Sequence, residues 1–331
     1  MKSEMLAPQL LTANKRKMIS VVTPCYNEQE NVVLLYESIK RVFEKLPHYQ
    51  YEQIFIDNSS TDGTVEKIRK LTAEDRNVKL IVNTRNFGHI RSPLYGLLQS
   101  RGDAVVAMAS DLQDPPEMIA QFIEKWEQGF LVVVGVKPQS EETFLMGLIR
   151  RSYYHFLARI SEVQLIKNFT GFGLYDGVVI DAIRKLHDPY PYFRGLIAEL
   201  GFKTVEIPFV QPPRVRGITK NNFYTLYDLA MLGITTHSRV PMRLATMAGF
   251  GLAVISLLIS LTYLVLKLIF WDRFSIGSAP ILVGLFFFSS VQLIFIGLLG
   301  EYIGAILTQV LNRPLVVERE RINFEETNET K

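Results

Sequence analysis

Cysteine is nearly absent from this chain of 331 residues, which contains Cys25 and no other cysteine. A single thiol excludes an internal disulfide and any zinc site built from several cysteines. The formal net charge is only +3, so the composition does not indicate a partner nucleic acid. Residues 1–17, the predicted N-terminal tail, lack the apolar stretch of a secretory signal peptide, and we expect no cleaved leader.

Long apolar runs are missing from the first 243 residues and then occur twice, at residues 244–270 and 279–307. About 20 apolar helical residues cross the hydrocarbon core of a bilayer, and both runs exceed that length. The short connector between them predicts a two-helix transmembrane hairpin. Arg239 and Arg243 precede the pair and Arg313 follows it, so the positive-inside bias places both ends in the cytoplasm. The alternative is two buried helices of a soluble core.

Short β-branched runs alternate with helical patterns from residue 18 to residue 135. This alternation predicts right-handed crossovers and a mostly parallel, Rossmann-like α/β sheet. Ligands of such sheets bind beyond the carboxyl ends of the strands, so the loops there are the candidate site. The predicted strands are 18–23, 53–57, 78–82, 104–109 and 131–135, and the predicted helices are 30–46, 61–73, 91–99 and 116–129.

Each of the first four predicted strands runs into a loop of unusual composition. The loops are Pro24-Cys25-Tyr26-Asn27-Glu28, residues 57–63 with the sequence Asp-Asn-Ser-Ser-Thr-Asp-Gly, Arg85-Asn86-Phe87-Gly88, and residues 110–117 with the sequence Ser-Asp-Leu-Gln-Asp-Pro-Pro-Glu. In this order, and followed by the paired apolar runs, they resemble the family-2 inverting glycosyltransferases of GT-A fold. The resemblance is to the polyprenyl-phosphate glycosyltransferases, which include dolichol-phosphate mannosyltransferase and bacterial undecaprenyl-phosphate sugar transferases. It extends from Ser20 to Pro314.

The resemblance implies a GT-A domain over residues 18–220 that binds a nucleotide sugar, with a UDP-sugar as the expected donor. From the residues alone, Asp57 ends a buried strand and can accept hydrogen bonds from a base or ribose, and a helix cap is the alternative role. Cys25 is expected to be a packing residue, because this reaction needs no thiolate. The implied nucleotide-sugar-binding residues are Pro24, Tyr26, Glu28, Asp57, Arg85, Ser110 and Asp111.

Asp111 and Gln113 are the predicted ligands of a divalent cation, Mg²⁺ or Mn²⁺. A nucleoside diphosphate leaving group gains charge as the glycosidic bond breaks, and a cation bound by carboxylates and phosphate oxygens neutralises that charge. The family usually has an aspartate two residues before Asp111, where this chain has Ala109. The stretch from Asp114 to Glu117 is expected to begin the next helix, because prolines and an acid suit a first turn.

A second departure from the family lies at residues 170–174, where Thr-Gly-Phe-Gly-Leu replaces a Gly-Asp-Phe-Arg stretch whose aspartate is a proposed catalytic base. A sugar hydroxyl acceptor needs such a base, whereas a lipid phosphate with a second pKa of about 6 is already largely dianionic at neutral pH. The missing aspartate therefore favours a phosphate acceptor. The alternatives are that the chain has lost activity, or that Asp176 or Asn168 serves in another way.

Arg214, Arg216 and Lys220 form a basic loop ahead of the apolar runs, and this loop resembles the family's Arg-x-x-Gly-x-Ser/Thr-Lys loop. With Asp111 they are the predicted catalytic residues, holding the donor diphosphate and the lipid phosphate. A solvated basic loop is the alternative. Amphipathic patterns at about 142–160 and 221–243 predict helices in the headgroup region, or ordinary packing between domain and hairpin.

Together these features predict an inverting glycosyltransferase of the inner membrane that moves a sugar to the phosphate of undecaprenyl phosphate. Its catalytic domain and its C-terminal tail, residues 308–331, are expected in the cytoplasm, and its product would serve O-antigen or other cell-surface glycan synthesis. The alternatives are transfer to a glycan or lipid hydroxyl, and a catalytically impaired nucleotide-sugar-binding subunit. Relatives and the glycines of the apolar runs suggest a homo-tetramer. The sugar and the nucleotide are left undecided.

Overall fold

The computed structural model describes residues 16–137, 166, 168–186, 188–190, 192–212, 240–270 and 278–325. The described residues separate into two compact units. The first unit contains 16–137, the described residues between 166 and 212, and 313–325. The second unit contains 240–270 and 278–312.

A mixed sheet forms the first unit. Its strands are β1 (Met18–Cys25), β2 (Gln50–Asp57), β3 (Val78–Asn83), β4 (Ala104–Ala107), β5 (Val132–Val136), β6 (Phe169–Asp176), β7 (Thr204–Pro208) and β8 (Glu318–Ile322). They are arranged in the order β7-β5-β6-β4-β1-β2-β3-β8. The neighbours β4, β1, β2 and β3 are parallel, whereas β6 and β8 run antiparallel to the strands beside them. The predicted mostly parallel α/β sheet is confirmed.

Helices cover both faces of this sheet. They are α1 (Val32–Glu44), α2 (Thr64–Glu74), α3 (Gly88–Leu98), α4 (Met118–Glu127), α5 (Gly177–Leu186) and α6 (Phe193–Glu199). Phe55 of β2 faces the core layer built with α1, α2 and α4, whereas its neighbours Ile54 and Ile56 face the layer built with α3, α5 and α6. A parallel strand covered on both faces is apolar throughout, which explains the continuous apolar run in β2.

Glycine allows α3 to lie directly on the sheet. A Cβ atom at Gly96 would stand 2.9 Å from side-chain carbons of both Val22 and Ile56, closer than side chains pack. The helix after the third strand is therefore fixed tightly above β1 and β2, and the loop that leads into it is fixed with it.

The segment after the second apolar run contributes a strand to the first unit. β8 pairs antiparallel with β3, and Arg69 of α2 contacts Glu320 of β8 with Nε to Oε1 at 3.1 Å. Beyond the strand, Asn323 donates from Nδ2 to the carbonyl oxygens of Thr72 at 2.7 Å and of Val78 at 2.8 Å. Part of the segment predicted as a tail thus forms the outermost strand of the sheet beside β3.

The second unit contains two long helices, α7 (Val240–Ile269) and α8 (Ser278–Leu311). Among the described residues, the segment Phe287–Leu311 is long and apolar enough to cross a membrane, and the apolar stretch Val240–Ser256 is shorter than a span. The hairpin therefore stays a prediction. The predicted amphipathic helix at 142–160 and residues 221–239 of the second one lie outside the described residues.

Candidate active site

The carboxyl ends of β1, β2 and β4 lie side by side at one edge of the sheet. Cys25 at the end of β1 pairs with Asp57 at the end of β2, and Val22 pairs with Ala107 at the end of β4. The loops that follow these strands therefore start next to one another. We call this edge the carboxyl edge and the opposite one the amino edge.

Hydrogen bonds join the loop after β1 to the loop after β2. Asn27 has φ +57, its N–H donates to Ser60 Oγ at 2.8 Å, and its Oδ1 accepts from the N–H of Thr61 at 2.8 Å. The N–H of Glu28 donates to Thr64 Oγ1 at 2.8 Å. Asparagine suits the left-handed position because its short side chain bonds nearby backbone. The two loops form one connected surface.

Asp57 is fully buried beneath these joined loops. Its Oδ1 accepts from the N–H of Ser60 at 2.9 Å, and its Oδ2 accepts from the Ser60 hydroxyl. Burial raises the pKa of Asp57, while the hydrogen bonds of Ser60 and the charge of Arg319 lower it. The first turn of α2 is capped instead by Asp62, whose Oδ1 accepts from the N–H of Thr64 at 3.0 Å. The helix-cap alternative for Asp57 is therefore wrong, and nucleotide binding stays its predicted role.

The other residues predicted beside Asp57 occupy the same region. Pro24 pairs with Ile56 in the sheet, and Tyr26 is half-buried just beyond the end of β1. Glu28 accepts from Nδ2 of Asn31 at 2.6 Å, which fixes its carboxylate at the start of α1. The structure thus brings these three residues to the carboxyl edge.

Cys25 lies among them as a buried thiol. Burial is the largest cause that raises its pKa well above the ordinary value, and the charges of Asp57 and Glu28 act in the same direction. A hydrogen bond with Ser110 acts against them. Because the thiolate is the nucleophilic form, a thiol held neutral is a packing residue, as the sequence predicted.

Three asparagines join the loop after β2 to the loop after β3. Asn58 donates from Nδ2 to Asn86 Oδ1 at 2.8 Å, and its Oδ1 accepts from the N–H of Phe87 at 2.8 Å. Asn83, fully buried at the end of β3, donates to Asn58 Oδ1 at 3.2 Å. Asn58 and Asn83 are buried whereas Asn86 is exposed, and the bonds of the two buried amides hold the loop after β3 in one conformation. This network was not predicted from the sequence, although an asparagine at or just after the end of a buried strand is a visible signal.

Arg85 extends from the loop that this network fixes, and its side chain is exposed. Its guanidinium carbon lies 4.0 Å from the centroid of the Phe87 ring, and its Nη1 donates to the carbonyl oxygen of Asn86 at 3.1 Å. The cation–π contact holds the side chain over the ring. The structure places Arg85 at the carboxyl edge, and its contact with the donor stays a prediction.

The loop after β4 is closed by Asp114. Its Oδ2 accepts from the N–H of Ala109 at 2.8 Å, so β4 ends at Ala107 rather than at residue 109. The stretch from Asp114 to Glu117 was expected to begin the next helix, and it leads directly into α4, whose N-cap residue is Glu117. Asp114 itself stays outside the helix, because a residue before proline avoids the helical conformation.

Asp111 lies inside this closed loop and is 9% exposed. Its Oδ1 accepts from the N–H of Gln113 at 3.2 Å, and Leu112 between them has φ +61. Burial raises the pKa of Asp114 to about 6, and the charge of Asp111 raises it too, while the N–H of Ala109 and the charge of Lys137 lower it. Two buried carboxylates that repel each other cost stability, which makes this loop a candidate functional site.

The loop fits a divalent cation that is shared with a substrate. The described residues contain no group of three or more His, Cys, Asp or Glu side chains that would hold a metal ion by themselves. Mg²⁺ often binds through one or two carboxylates and completes its shell with water and substrate phosphates. Asp111 and Gln113 provide a set of this kind, and Ala109 adds no side-chain ligand.

Lys137 is a cation at this edge that the sequence analysis missed. It follows the last residue of β5, and its Nζ donates to Gln211 Oε1 at 2.6 Å. Its charge lowers the pKa of Asp114, so it lies near the carboxylates. A lysine directly after a buried strand was the available signal.

Gly173 lies in the segment 170–174, where the family has its base motif. A Cβ atom at Gly173 would stand 2.4 Å from the carbonyl oxygen of Val133, so β5 and β6 pair as closely as they do only because this residue is glycine. No larger side chain fits this position without moving β5. The packing of the sheet thus excludes the arginine of the family motif at this position. The aspartate of the motif aligns with Gly171, where a Cβ atom would meet nothing closer than 3.9 Å but the backbone has φ +105, which favours glycine.

The two candidates for a replacement base lie at opposite edges. Asp176 pairs with Ala104 at the amino edge, where its carboxylate accepts from Trp126 Nε1 at 2.7 Å and from the N–H of Val178 at 2.9 Å. The suggestion that Asp176 acts as the base was therefore wrong. Asn168 lies at the carboxyl edge, where its carbonyl oxygen accepts from the N–H of Lys137 at 3.3 Å, and its role stays a prediction. Arg214, Arg216 and Lys220 lie outside the described residues.

Residues 20–181 match the family described as glycosyl transferase family 2. The chain is 34% identical to the uncharacterized glycosyltransferase YkcC of Bacillus subtilis (strain 168), over 92% of this chain and 94% of that protein. The chain belongs to glycosyl transferase family 2. This family 2 member is also 35% identical to the SfII prophage-derived bactoprenol glucosyl transferase of Shigella flexneri, over 89% of this chain and 96% of that protein.

Among solved structures, the family 2 chain is similar to the mannosyltransferase PcManGT from Pyrobaculum calidifontis in complex with GDP-Man and Mn²⁺. The identity is 16%, the TM-score is 0.45, and the match covers 90% of this chain and 88% of that chain. This similarity between the two structures does not assign a ligand to the chain. The GT-A class is assigned from the mostly parallel sheet, the position of the site loops and the family match.

Proposed function

We propose that this family 2 enzyme transfers a sugar from a nucleotide sugar to the phosphate of a membrane-bound polyprenyl phosphate. The observation that carries the proposal is the likeness, over 89% of this chain, to a protein named for glucosyl transfer to bactoprenol, which is undecaprenol. The apolar segment Phe287–Leu311 supports it, because a polyprenyl chain lies in the bilayer and its enzyme must work at the membrane.

The donor binds at the carboxyl edge, on the joined loops after β1 and β2. Asp57 accepts hydrogen bonds from the base or the ribose, and Pro24, Tyr26 and Glu28 complete that pocket. Arg85 lies on the neighbouring loop, which the asparagine network holds in place. A UDP-sugar is the donor that we propose first.

Asp111 and Gln113 hold Mg²⁺ or Mn²⁺ together with the oxygens of the donor diphosphate. When bound, the cation neutralises the charge of the leaving nucleoside diphosphate. The loop is closed by the bond from Ala109 to Asp114, so the carboxylate of Asp111 is in position before the donor arrives. Such preorganisation lowers the barrier, because the site does not rearrange during the reaction.

The acceptor needs no catalytic base in this reaction. A phosphate monoester with a second pKa of about 6 is mostly dianionic at neutral pH, so its oxygen attacks without losing a proton. A bond forms between that oxygen and the anomeric carbon, the bond from this carbon to the diphosphate oxygen breaks, and the leaving group keeps the electron pair. In-line attack inverts the anomeric centre. We assign Arg214, Arg216 and Lys220 to the phosphates of donor and acceptor.

We further propose that α7 and α8 form a transmembrane hairpin and that the catalytic domain lies at the cytoplasmic face of the inner membrane. α7 is a helix of 30 residues and α8 one of 34, and both are rich in apolar residues. Arginines occur at both ends of the pair, as the positive-inside bias requires. The homo-tetramer expected from the resemblance is part of the same proposal.

The test uses the full-length protein in detergent with undecaprenyl phosphate and a panel of nucleotide sugars. Mass spectrometry of the lipids should show one polyprenyl-phosphate sugar, formed only with Mg²⁺ or Mn²⁺. Asp111→Asn should lower the rate by about 100-fold or more. Asp181→Asn, at an exposed position on α5, is the matched control and should leave the rate unchanged.

Two outcomes would contradict the proposal. One is transfer to a glycan or lipid hydroxyl but not to the lipid phosphate. The other is thermal stabilisation by a nucleotide sugar without turnover on any lipid acceptor, which would indicate a binding subunit.

A further inference from the structure

Three arginines of the first unit, Arg85, Arg91 and Arg313, form a group that we call the arginine cluster. The guanidinium carbons of Arg85 and Arg91 lie 4.0 and 5.7 Å from the centroid of the same Phe87 ring, and so no more than about 10 Å from each other. Burial lowers the pKa of Arg91, and the positive charges of Arg85 and Arg313 lower it further. Arg91 therefore lies close enough to both Arg85 and Arg313 to be repelled by them.

Five other cations of the first unit have carboxylate partners. Ion pairs join Arg69 to Glu320, Lys79 to Glu52, Arg101 to Glu325, Arg184 to Asp181 and Arg321 to Glu318. Within the described residues, the three cluster arginines have no carboxylate at ion-pair distance. Arg85 and Arg91 donate instead to the carbonyl oxygens of Asn86 and Pro314.

Arg91 also keeps an unused donor. Its Nε is buried and has no hydrogen-bond partner in the part of the chain that the structure describes. A buried donor without an acceptor costs stability, and so does a positive charge beside two others. An anion bound at the accessible part of the guanidinium removes the second cost, because its negative charge offsets the repulsion between the cations.

The polypeptide itself keeps the cluster near the end of an apolar helix. Arg313 follows Leu311, the last residue of α8, by two positions, and two residues span at most about 7 Å. Arg91 is bound to Pro314, the next residue along. Where α8 crosses a bilayer, its end lies among the lipid headgroups, and Arg313 must lie there as well.

We propose that Arg91 and Arg313 bind the phosphate groups of anionic phospholipids at the membrane surface, while Arg85 beside them stays with the proposed donor site. Anionic lipids attract cytoplasmic arginines that lie within a Debye length of the surface. The inference needs the chain to be attached to a membrane, but it does not depend on the sugar, the nucleotide or the acceptor.

The test titrates the full-length protein in detergent with short-chain phosphatidylglycerol and counts bound lipids by native mass spectrometry. One arginine near an anionic surface contributes about fivefold to binding. Arg313→Gln should therefore weaken binding about fivefold, and the Arg91→Gln/Arg313→Gln double variant about 25-fold. Phosphatidylcholine, which has no net charge, should bind weakly to every variant.

Arg321→Gln is the matched control, because Arg321 lies in the same C-terminal segment but is paired with Glu318 at 2.5 Å. It should change phosphatidylglycerol binding less than about twofold, well below the effect of an arginine that acts near an anionic surface. Arg91→Lys keeps the charge and should retain most of the binding, which separates lipid recognition from loss of the fold.

Equal binding of phosphatidylglycerol by the natural chain and the double variant would overturn the proposal. So would displacement of phosphatidylglycerol by one equivalent of undecaprenyl phosphate, because the cluster would then belong to the acceptor site. Binding is measured without a nucleotide sugar, so the result can be read even if the proposed transfer reaction fails.

Discussion

Acidic side chains are buried at both the amino edge and the carboxyl edge of the sheet. Their negative charges are neutralised by partners to different degrees at the two edges. At the amino edge, Glu52 lies 2.5 Å from Lys79 Nζ and accepts from Ser20 Oγ at 2.5 Å. At the carboxyl edge, Asp57 and Asp114 accept from backbone and hydroxyl groups, and burial raises the pKa of both. The amino edge thus stabilises the fold, whereas the carboxyl edge gives up stability where we propose that a cation and a diphosphate bind.

The largest effect is expected from Glu52→Gln at the amino edge. The change removes the charge that neutralises Lys79, whose side chain is 15% exposed, and loss of one partner of a buried pair costs about 3 kcal/mol. The Tm in detergent should fall by about 6–12 °C. Transfer activity at low temperature should not change. A much smaller fall in Tm, or a loss of activity in the folded protein, would remove the contrast between the edges.

Asn58→Ala tests the carboxyl edge. It leaves the N–H of Phe87 without an acceptor and removes one of the two acceptors of Asn83 Nδ2, which still donates to Ser92 Oγ at 3.0 Å. We expect the free energy of unfolding to fall by about 2 kcal/mol. The loop of Arg85 loses its support, so the KM for the nucleotide sugar should rise more than kcat falls. Steady-state kinetics and a melting curve measure both. A fall in Tm with an unchanged KM would show that the network is structural only.

Asp114→Asn should raise the stability of the protein at pH 8, whereas Glu52→Gln and Asn58→Ala should lower it. The pKa of Asp114 is raised to about 6 from an ordinary 3.8, so the folded state holds this proton more tightly than the unfolded state does. The contribution to stability is present below about pH 4 and is lost as the pH rises through 6. Asparagine keeps the acceptor for Ala109 without the charge, and it should gain about 2 kcal/mol at pH 8.

Melting curves of Asp114→Asn and the natural chain at several pH values measure this gain. The difference in Tm should be near zero at pH 4 and about 4–8 °C at pH 8. A destabilised variant at pH 8 would mean that the carboxylate at this edge is neutralised as well as Glu52 is.

The smallest effect is expected from Glu320→Gln on β8. Its pair with Arg69 is exposed, with 43% of the arginine and 32% of the glutamate side chain accessible, so its loss should cost less than about 1 kcal/mol. The Tm should change by less than about 3 °C. A change as large as that of Glu52→Gln would show that burial does not explain the strength of the amino-edge pair.

The first five strands were predictable because each is a β-branched run with a helical pattern after it. β6 was not predicted, since Gly171 and Gly173 give it a poor strand composition. Glycine is nevertheless required at 173, because only a residue without a side chain fits against Val133. β8 was missed because its sequence, Glu-Arg-Glu-Arg-Ile, shows no apolar alternation, and charged residues are typical of edge strands.

The candidate site was predictable in part. Asp57 and Asp111 stand out because acids that directly follow buried strands are unusual. The asparagine network and Lys137 were missed because their polar atoms bond to partners on other loops. Asp176 was misplaced, since the sequence does not show that β6 runs antiparallel and carries it to the amino edge.

The sequence by itself determined the alternation of strands and helices, the four loop motifs, the apolar runs and the family. Periodicity and turn chemistry encode these features locally, within a few residues. Only the tertiary structure decided that Asp176 meets Trp126 and that β8 lies beside β3. Such contacts join residues far apart in the chain, and they depend on how whole layers pack rather than on any short pattern.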